Sequence, residues 1–326
     1  MPGRIERKTW ESLEKRDHFA GILPLAQPFE PDLESIVERA QRLVAPAGAK
    51  VLLHPMMRKL EQASEGSIFS FGASEPTRTR MIFLVIDHVG VWIAAREGQL
   101  EHRGDLSRWP NPSAWPGGAM ELARHTAWLE VVDLGFMRDR GIARLDRAFN
   151  RAAAVTAALA AVAGQVDPLG ILWWPAQNAI GPDRFAAQVE RVLGGEAPLE
   201  LWLRWFYTKP LNEGDEDGIL TRGLLSFTGF EIEVPPGPIE PELARAIVFE
   251  FARMVIDHGT EPRTGMVVAL SGRRTATIRL GDSLTRPGLP VCELTVTEKL
   301  GSVSARSTTR PAAAPAQSAM RVGARR

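Results

Sequence analysis

Cysteine is nearly missing from this chain. Cys292 is the only one in 326 residues, which excludes an intrachain disulfide and any cysteine-based zinc cluster. Charge of one sign is missing too: 39 basic and 39 acidic side chains cancel. With a pI near 7.1, no global field favours nucleic acid or an anionic membrane. Long hydrophobic runs are also lacking. The longest, "AAAVTAALAAVAG" at 152–164, falls short of the ~20 residues a membrane-spanning helix needs. The opening "MPGRIERKTWESLEKRD" carries no apolar h-region, so no secretory signal is expected. These absences lead to the expectation of a soluble, cytoplasmic protein. Phosphate-loop, dinucleotide-fingerprint, H-E-x-x-H, G-x-S-x-G and C-x-x-C motifs are absent as well, which argues against the chemistries they serve.

What is present is a chain with 44% hydrophobic residues, enough for one large core or two modest ones. "HFAGILPLAQPF" reads as a short strand. A helix follows, with Pro31 at its start and Leu33, Ile36, Val37, Ala40, Leu43 and Val44 on one face. "RMIFLVIDHVGVWIAAREGQ" (80–99) is rich in β-branched and aromatic residues and punctuated at Asp87–His88, which predicts a hairpin. A Pro/Gly loop leads into a helix over about 117–124, then the strand "HTAWLEVVDL" and the Ala-rich helix "IARLDRAFNRAAAVTAALAAVA". "PLGILWWP" is expected as a buried strand, "GPDRFAAQVERVLGG" as a helix with Pro182 at its first position, and "PLELWLRWFYTKP" as a strand.

The stretch "GILTRGLLSFTGFEIEV" alternates as two strands interrupted at Gly223 and Gly229. A phosphate cradle would instead cluster its glycines between a strand and a helix start. "EPELARAIVFEFARMVIDHG" is the clearest helix, with Gly259 expected at its C-cap, and two short strands, "GMVVALS" and "TATIRL", follow. This mixture predicts an α+β fold with a mostly antiparallel sheet packed against helices, and it leaves room for two similar α/β halves. The expected division is an N-terminal extension over 1–79, an α+β domain over 80–298 and a disordered basic tail over 299–326.

Taken in order, "ARHTAWLEVVD" (123–133), "GILWWP" (170–175), "APLELWLRW", "GILTRGLLSFTGFEIEV", the helix ending "VIDHG" and the strand "IRLGDSL" (278–284) resemble a bacterial family. That family is the uncharacterised domain of unknown function 4261, and the resemblance spans roughly residues 80–284. It implies a soluble bacterial α+β domain and assigns no catalytic residues.

The candidate chemistry is sparse. Of six histidines, none pairs with another at the i,i+4 spacing of a helical metal site. His125 lies at a helix-to-strand junction ahead of Glu130 and Asp133, and a general base assisted by either carboxylate is one use for it. The plainer use is a junction histidine bonded to local backbone. "NEGDEDG" with Asp215 and Asp217 matches the start of a calcium loop, but position 226 is Ser226 where the loop requires glutamate. Cys292, on a presumed strand, is an apolar filler. Arg140, Arg144, Arg147 and Arg151 recur at helical spacing and form either an anion-binding stripe or a solvated face.

Nine tryptophans against the single tyrosine Tyr207 supply core aromatics and, in part, a binding surface. Trp128, Trp174, Trp202, Arg204 and Trp205 are the candidates for that surface. The leading expectation is therefore a module that binds a protein partner or small ligand on a sheet face, with no cofactor and no metal. A small-molecule enzyme using His125 with Glu130 or Asp133 is the alternative. A weaker one is nucleic-acid association through the arginine stripe and basic tail.

Overall fold

The structure is a computed structural model and describes residues 18–53, 81–100, 106–112, 114–136, 143–209, 215–272 and 274–297. These fall into two units that divide between Trp202 and Leu203. The division lies inside the 80–298 stretch that sequence pattern keeps together. The strands and helix before residue 54 belong with the first unit.

The first unit contains β1 (Ala20–Leu25), α1 (Leu33–Val44), β2 (Val51–Leu53), β3 (Met81–Ile86), β4 (Val89–Glu97), α2 (Gly118–Ala123) and β5 (Ala127–Phe136). These are followed by α3 (Arg144–Ala163), β6 (Ile171–Trp173), β7 (Asn178–Ile180), α4 (Pro182–Leu193) and the helical turn α5 (Leu199–Trp202). The strands form one antiparallel sheet in the order β2-β3-β4-β5-β1-β6-β7. β3 and β4 meet at Asp87 and His88, both with positive φ, the two-residue turn whose twist matches a hairpin.

Helix α1 begins at Asp32, whose carboxylate accepts the Ser35 N–H at 3.2 Å. Pro31 therefore sits just before the cap rather than inside the first turn. Helices α1 and α3 pack together and α3 lies on β1, β4 and β5. The alanines of α3 let the sheet come close: a methyl group on Gly21 of β1 would collide with Leu159 Cδ1. The opposite face of the sheet carries Trp128, Trp174, Trp109, Ile22, Leu172 and Leu122 in one apolar cluster.

The second unit contains β8 (Arg204–Thr208), β9 (Gly218–Arg222), the helical turn α6 (Leu225–Thr228), β10 (Glu231–Val234), α7 (Pro241–Ile256), β11 (Val267–Leu270), β12 (Arg274–Asp282) and β13 (Pro290–Thr297). Its sheet runs β11-β12-β13-β10-β9-β8, antiparallel except for the parallel β10–β13 pair. α7 packs on β9, β10 and β11 through a stripe that includes Ile247, Phe251 and Val255. Gly259 adopts φ 65° just past its end. Both units bear out an α+β architecture with mostly antiparallel sheets.

Two local expectations are corrected. "PLELWLRWFYTKP" is not one strand: Leu201 and Trp202 N–H groups both bond to the Pro198 carbonyl, making a helical turn before β8 starts at Arg204. Adjacent Leu201, Trp202 and Leu203 are all buried, which strand alternation does not allow on a one-sided sheet. Likewise, Leu224 and Ser226 do not extend β9, because Leu225–Thr228 coils into α6. The cause is Glu231, whose carboxylate accepts the N–H groups of Gly223, Leu224 and Leu225 and the Thr221 hydroxyl. Gly223, at φ 116°, turns its N–H toward that carboxylate, a backbone state open to glycine.

Candidate functional site

The three candidate catalytic residues are placed by β5 and the turn before it. His125 is 5% exposed. Its Nε2 accepts the Leu100 N–H at 2.7 Å, so Nδ1 carries the proton and donates to the Leu122 carbonyl at 2.5 Å. Both nitrogens are thus spent on backbone, and the plainer use read from sequence is the one observed. Strand alternation puts Glu130 and Asp133 on opposite faces of β5. Glu130 lies beside Arg96 at 3.8 Å, on the face of Trp128, and Arg96 in turn sits 5.7 Å from the Trp128 ring centroid.

Asp133 faces α3 instead. Its Oδ1 takes the Arg151 Nε–H at 2.6 Å and the Gly135 N–H at 2.9 Å, while Oδ2 takes the Phe19 N–H at 2.5 Å. Burial works against its charge, but the His18 imidazole at 3.8 Å, Arg151 and the Phe19 N–H outweigh it, holding the carboxyl below its ordinary value. Asp133 therefore fastens the start of β1, a bulge in β5 and helix α3 to one another, and the structure does not bring it to His125.

Three of the five candidate binding residues turn inward. Trp128 and Trp174 are buried in the same cluster, with Trp174 against Trp109 at 5.5 Å. Trp202 is completely buried, 5.9 Å from Trp173 and 5.4 Å edge-on from Phe149, with its indole N–H donating to Thr156 Oγ1 at 3.1 Å. Trp173 and Trp174 do face opposite sides of the sheet, as adjacent strand residues should. Neither offers a surface.

The arginine stripe does not stand as one face. Arg140 lies outside the described residues. Arg144 is exposed, Arg147 half-buried, and Arg151 is drawn onto Asp133 with its guanidinium 5.4 Å from the Phe19 ring. Among the described residues no group of three or more His, Cys, Asp or Glu is arranged to hold a metal ion. Ser226 lies in α6, and part of the acidic loop before Asp215 is outside the described residues. Cys292 is buried, and that burial pushes its thiol up to about 12, the state of an inert filler.

What remains is β8, the edge strand of the second sheet. Trp205 packs edge-on against Phe249 at 5.2 Å with the Arg245 guanidinium 5.6 Å from its ring, and Tyr207 donates to Glu242 at 3.2 Å. That side faces α7. On the other side, Arg204 stands directly across from Arg222, and Phe206 across from Leu220. Arg204 lies 4.8 Å and Arg286 6.0 Å from the Phe206 ring. Burial and then the facing Arg222 lower the Arg204 pKa.

Arg222, Phe206 and Arg286 were not singled out from sequence. The register that sets Arg222 against Arg204 passes through a nine-residue connection, Lys209–Asp217, and connections of that length carry no register rule.

The first unit has a concavity of its own, a cleft of about 670 Å³ between the loop after β1, the loop after α3 and Trp115. Arg124 and Glu121 on its wall pair with each other at 2.9 Å, and His125 does not line it. No helix among the described residues is long and apolar enough to cross a membrane. No protein-family model, curated protein or solved structure matches the chain.

Proposed function

We propose that this protein is a binding module without catalytic machinery, taking a partner or ligand at β8 of the second unit. The observation that carries the reading is the exposure of β8. The next two strands of the sheet, β9 and β10, are buried almost throughout, whereas Arg204, Trp205 and Phe206 are half-buried and Tyr207 is 49% exposed. Aromatic side chains and arginine at a sheet edge are the residue types that dominate recognition surfaces. An edge strand is also the place where an extended partner chain can add to a sheet.

The placement with domain of unknown function 4261 rests on the ordered motifs alone, and the bacterial, cytoplasmic setting on that placement and the lone reduced cysteine. A melting-temperature screen against a metabolite library tests the binding reading. A ligand that stabilises the wild type should lose that effect in Arg204→Gln and in Trp205→Ala. Undiminished stabilisation of both variants by every active ligand would overturn it.

A further inference from the structure

We infer that the cleft of the first unit is a site for a small organic ammonium ion, taken against Trp115 and balanced by Asp167. The inference concerns a different unit from β8 and does not depend on the reading of that strand.

Trp115 is held in a slot. It is half-buried and packs against the apolar cluster of Trp109, Trp128 and Trp174. A methyl group on Gly118 or Gly170 would collide with its ring, and one on Gly181 would lie 3.3 Å from its Nε1. Glycine at three separate points of the chain thus lets backbone close around the indole, which also lines the cleft.

The loops that complete the cleft, after β1 and after α3, are fixed as well. Gln165 exchanges hydrogen bonds with the Asp32 backbone at 3.1 and 3.3 Å. The Leu169 N–H bonds to the Pro24 carbonyl at 2.9 Å, and the Thr126 N–H and hydroxyl hold the Leu25 and Ala26 carbonyls at 2.9 and 2.8 Å. Phe29, half-buried, adds a second ring to the lining. The volume of about 670 Å³ falls in the range of small-molecule sites, and a preformed site leaves little ordering cost for its ligand to meet.

The charge of the lining selects the class of ligand. Its ionisable side chains are Glu121, Arg124 and Asp167. Arg124 donates to Glu121 at 2.9 Å, so these two cancel and Asp167, exposed on the wall, leaves the lining negative. The next base beyond Pro182, Arg184, lies 3.6 Å from Glu200. That balance disfavours an anion. A cation set on a tryptophan face is attracted by the ring quadrupole, more so where water is partly excluded. A quaternary ammonium suits the cleft best, because its methyl groups match Trp115 and Phe29 while its charge meets Asp167.

The test titrates the full chain with choline by calorimetry at constant ionic strength, beside dimethylbutanol, in which carbon replaces the nitrogen, and a short trimethyllysine peptide. Saturable choline binding is expected, with the uncharged isostere about tenfold weaker or more. Trp115→Ala should weaken choline about tenfold. Asp167→Asn and Arg124→Gln change exposed side chains and leave the fold in place. The first should weaken choline about threefold. The second removes the cation beside Glu121 and should tighten it, a gain that a merely apolar cleft would not show. A peptide bound more tightly than choline would put the ammonium on a protein partner, and one bound less tightly on a free small molecule. Absence of binding by both choline and the peptide, equal binding of the isostere, or affinity unmoved by Asp167→Asn and Arg124→Gln overturns the inference.

Discussion

Removing the Asp133 carboxylate strands the Arg151 guanidinium where its side chain is only 15% exposed. Breaking a buried pair in this way costs about 3–5 kcal/mol, so Asp133→Asn should lower stability by that order in chemical denaturation. The pH dependence has a definite sign. The Asp133 pKa is lower in the folded protein than its ordinary 3.8. Its contribution is therefore complete above that value and is lost as pH falls through the lower folded value. The gap between wild type and Asp133→Asn should be widest near neutrality and close in strong acid.

Glu231 gives a second residue-scale prediction. Burial pushes its carboxyl up, while the Thr221 hydroxyl and three backbone N–H groups pull it back. Glu231→Gln sets a donating amide against those donors and should cost about 1–3 kcal/mol. Faster amide exchange at Gly223–Leu225 would show where the loss falls.

The helices and strands differ in how much of them can be read from residues alone. α3, α4 and α7 are legible because apolar residues repeat with the helical period and caps mark their ends. The β3–β4 hairpin is legible from its branched residues and its Asp–His turn. β2 and β7 span three residues each, too few to show alternation. α5 and α6 sit inside apolar stretches that alternate as strands do. What coils them is side-chain contact that alternation does not reveal: Thr156 and Trp173, distant in sequence, around Trp202, and the nearby Glu231 around Gly223. The same limit applies to the candidate site. Arg204 and Trp205 stand out in sequence, but Arg222 and Arg286 reach Arg204 and Phe206 only through strand register and a loop held by Glu233.

At the scale of elements, the closeness of β1 to α3 makes its own prediction. Gly21→Ala must displace Leu159 in a fully buried site and should cost about 1–3 kcal/mol. The loss should appear as weakened exchange protection in β1, β5 and β6.

For the molecule as a whole, zero net charge removes long-range steering, so recognition depends on local surfaces. No linker composition marks the divide at Trp202 and Leu203. The chain passes directly from α5 into β8, which is why sequence pattern joins what the contacts separate. Each unit presents one candidate for recognition, the cleft beside Trp115 in the first and the β8 edge in the second. The two are separable by experiment, because a bound ligand slows exchange of the amides it covers. The most direct measurement is amide hydrogen exchange across the full chain, with and without a ligand that raises its melting temperature. The β8 reading predicts slowed exchange concentrated in residues 204–208 and 218–222; protection confined to residues 26–29 and 165–169 around the first unit's cleft would contradict it.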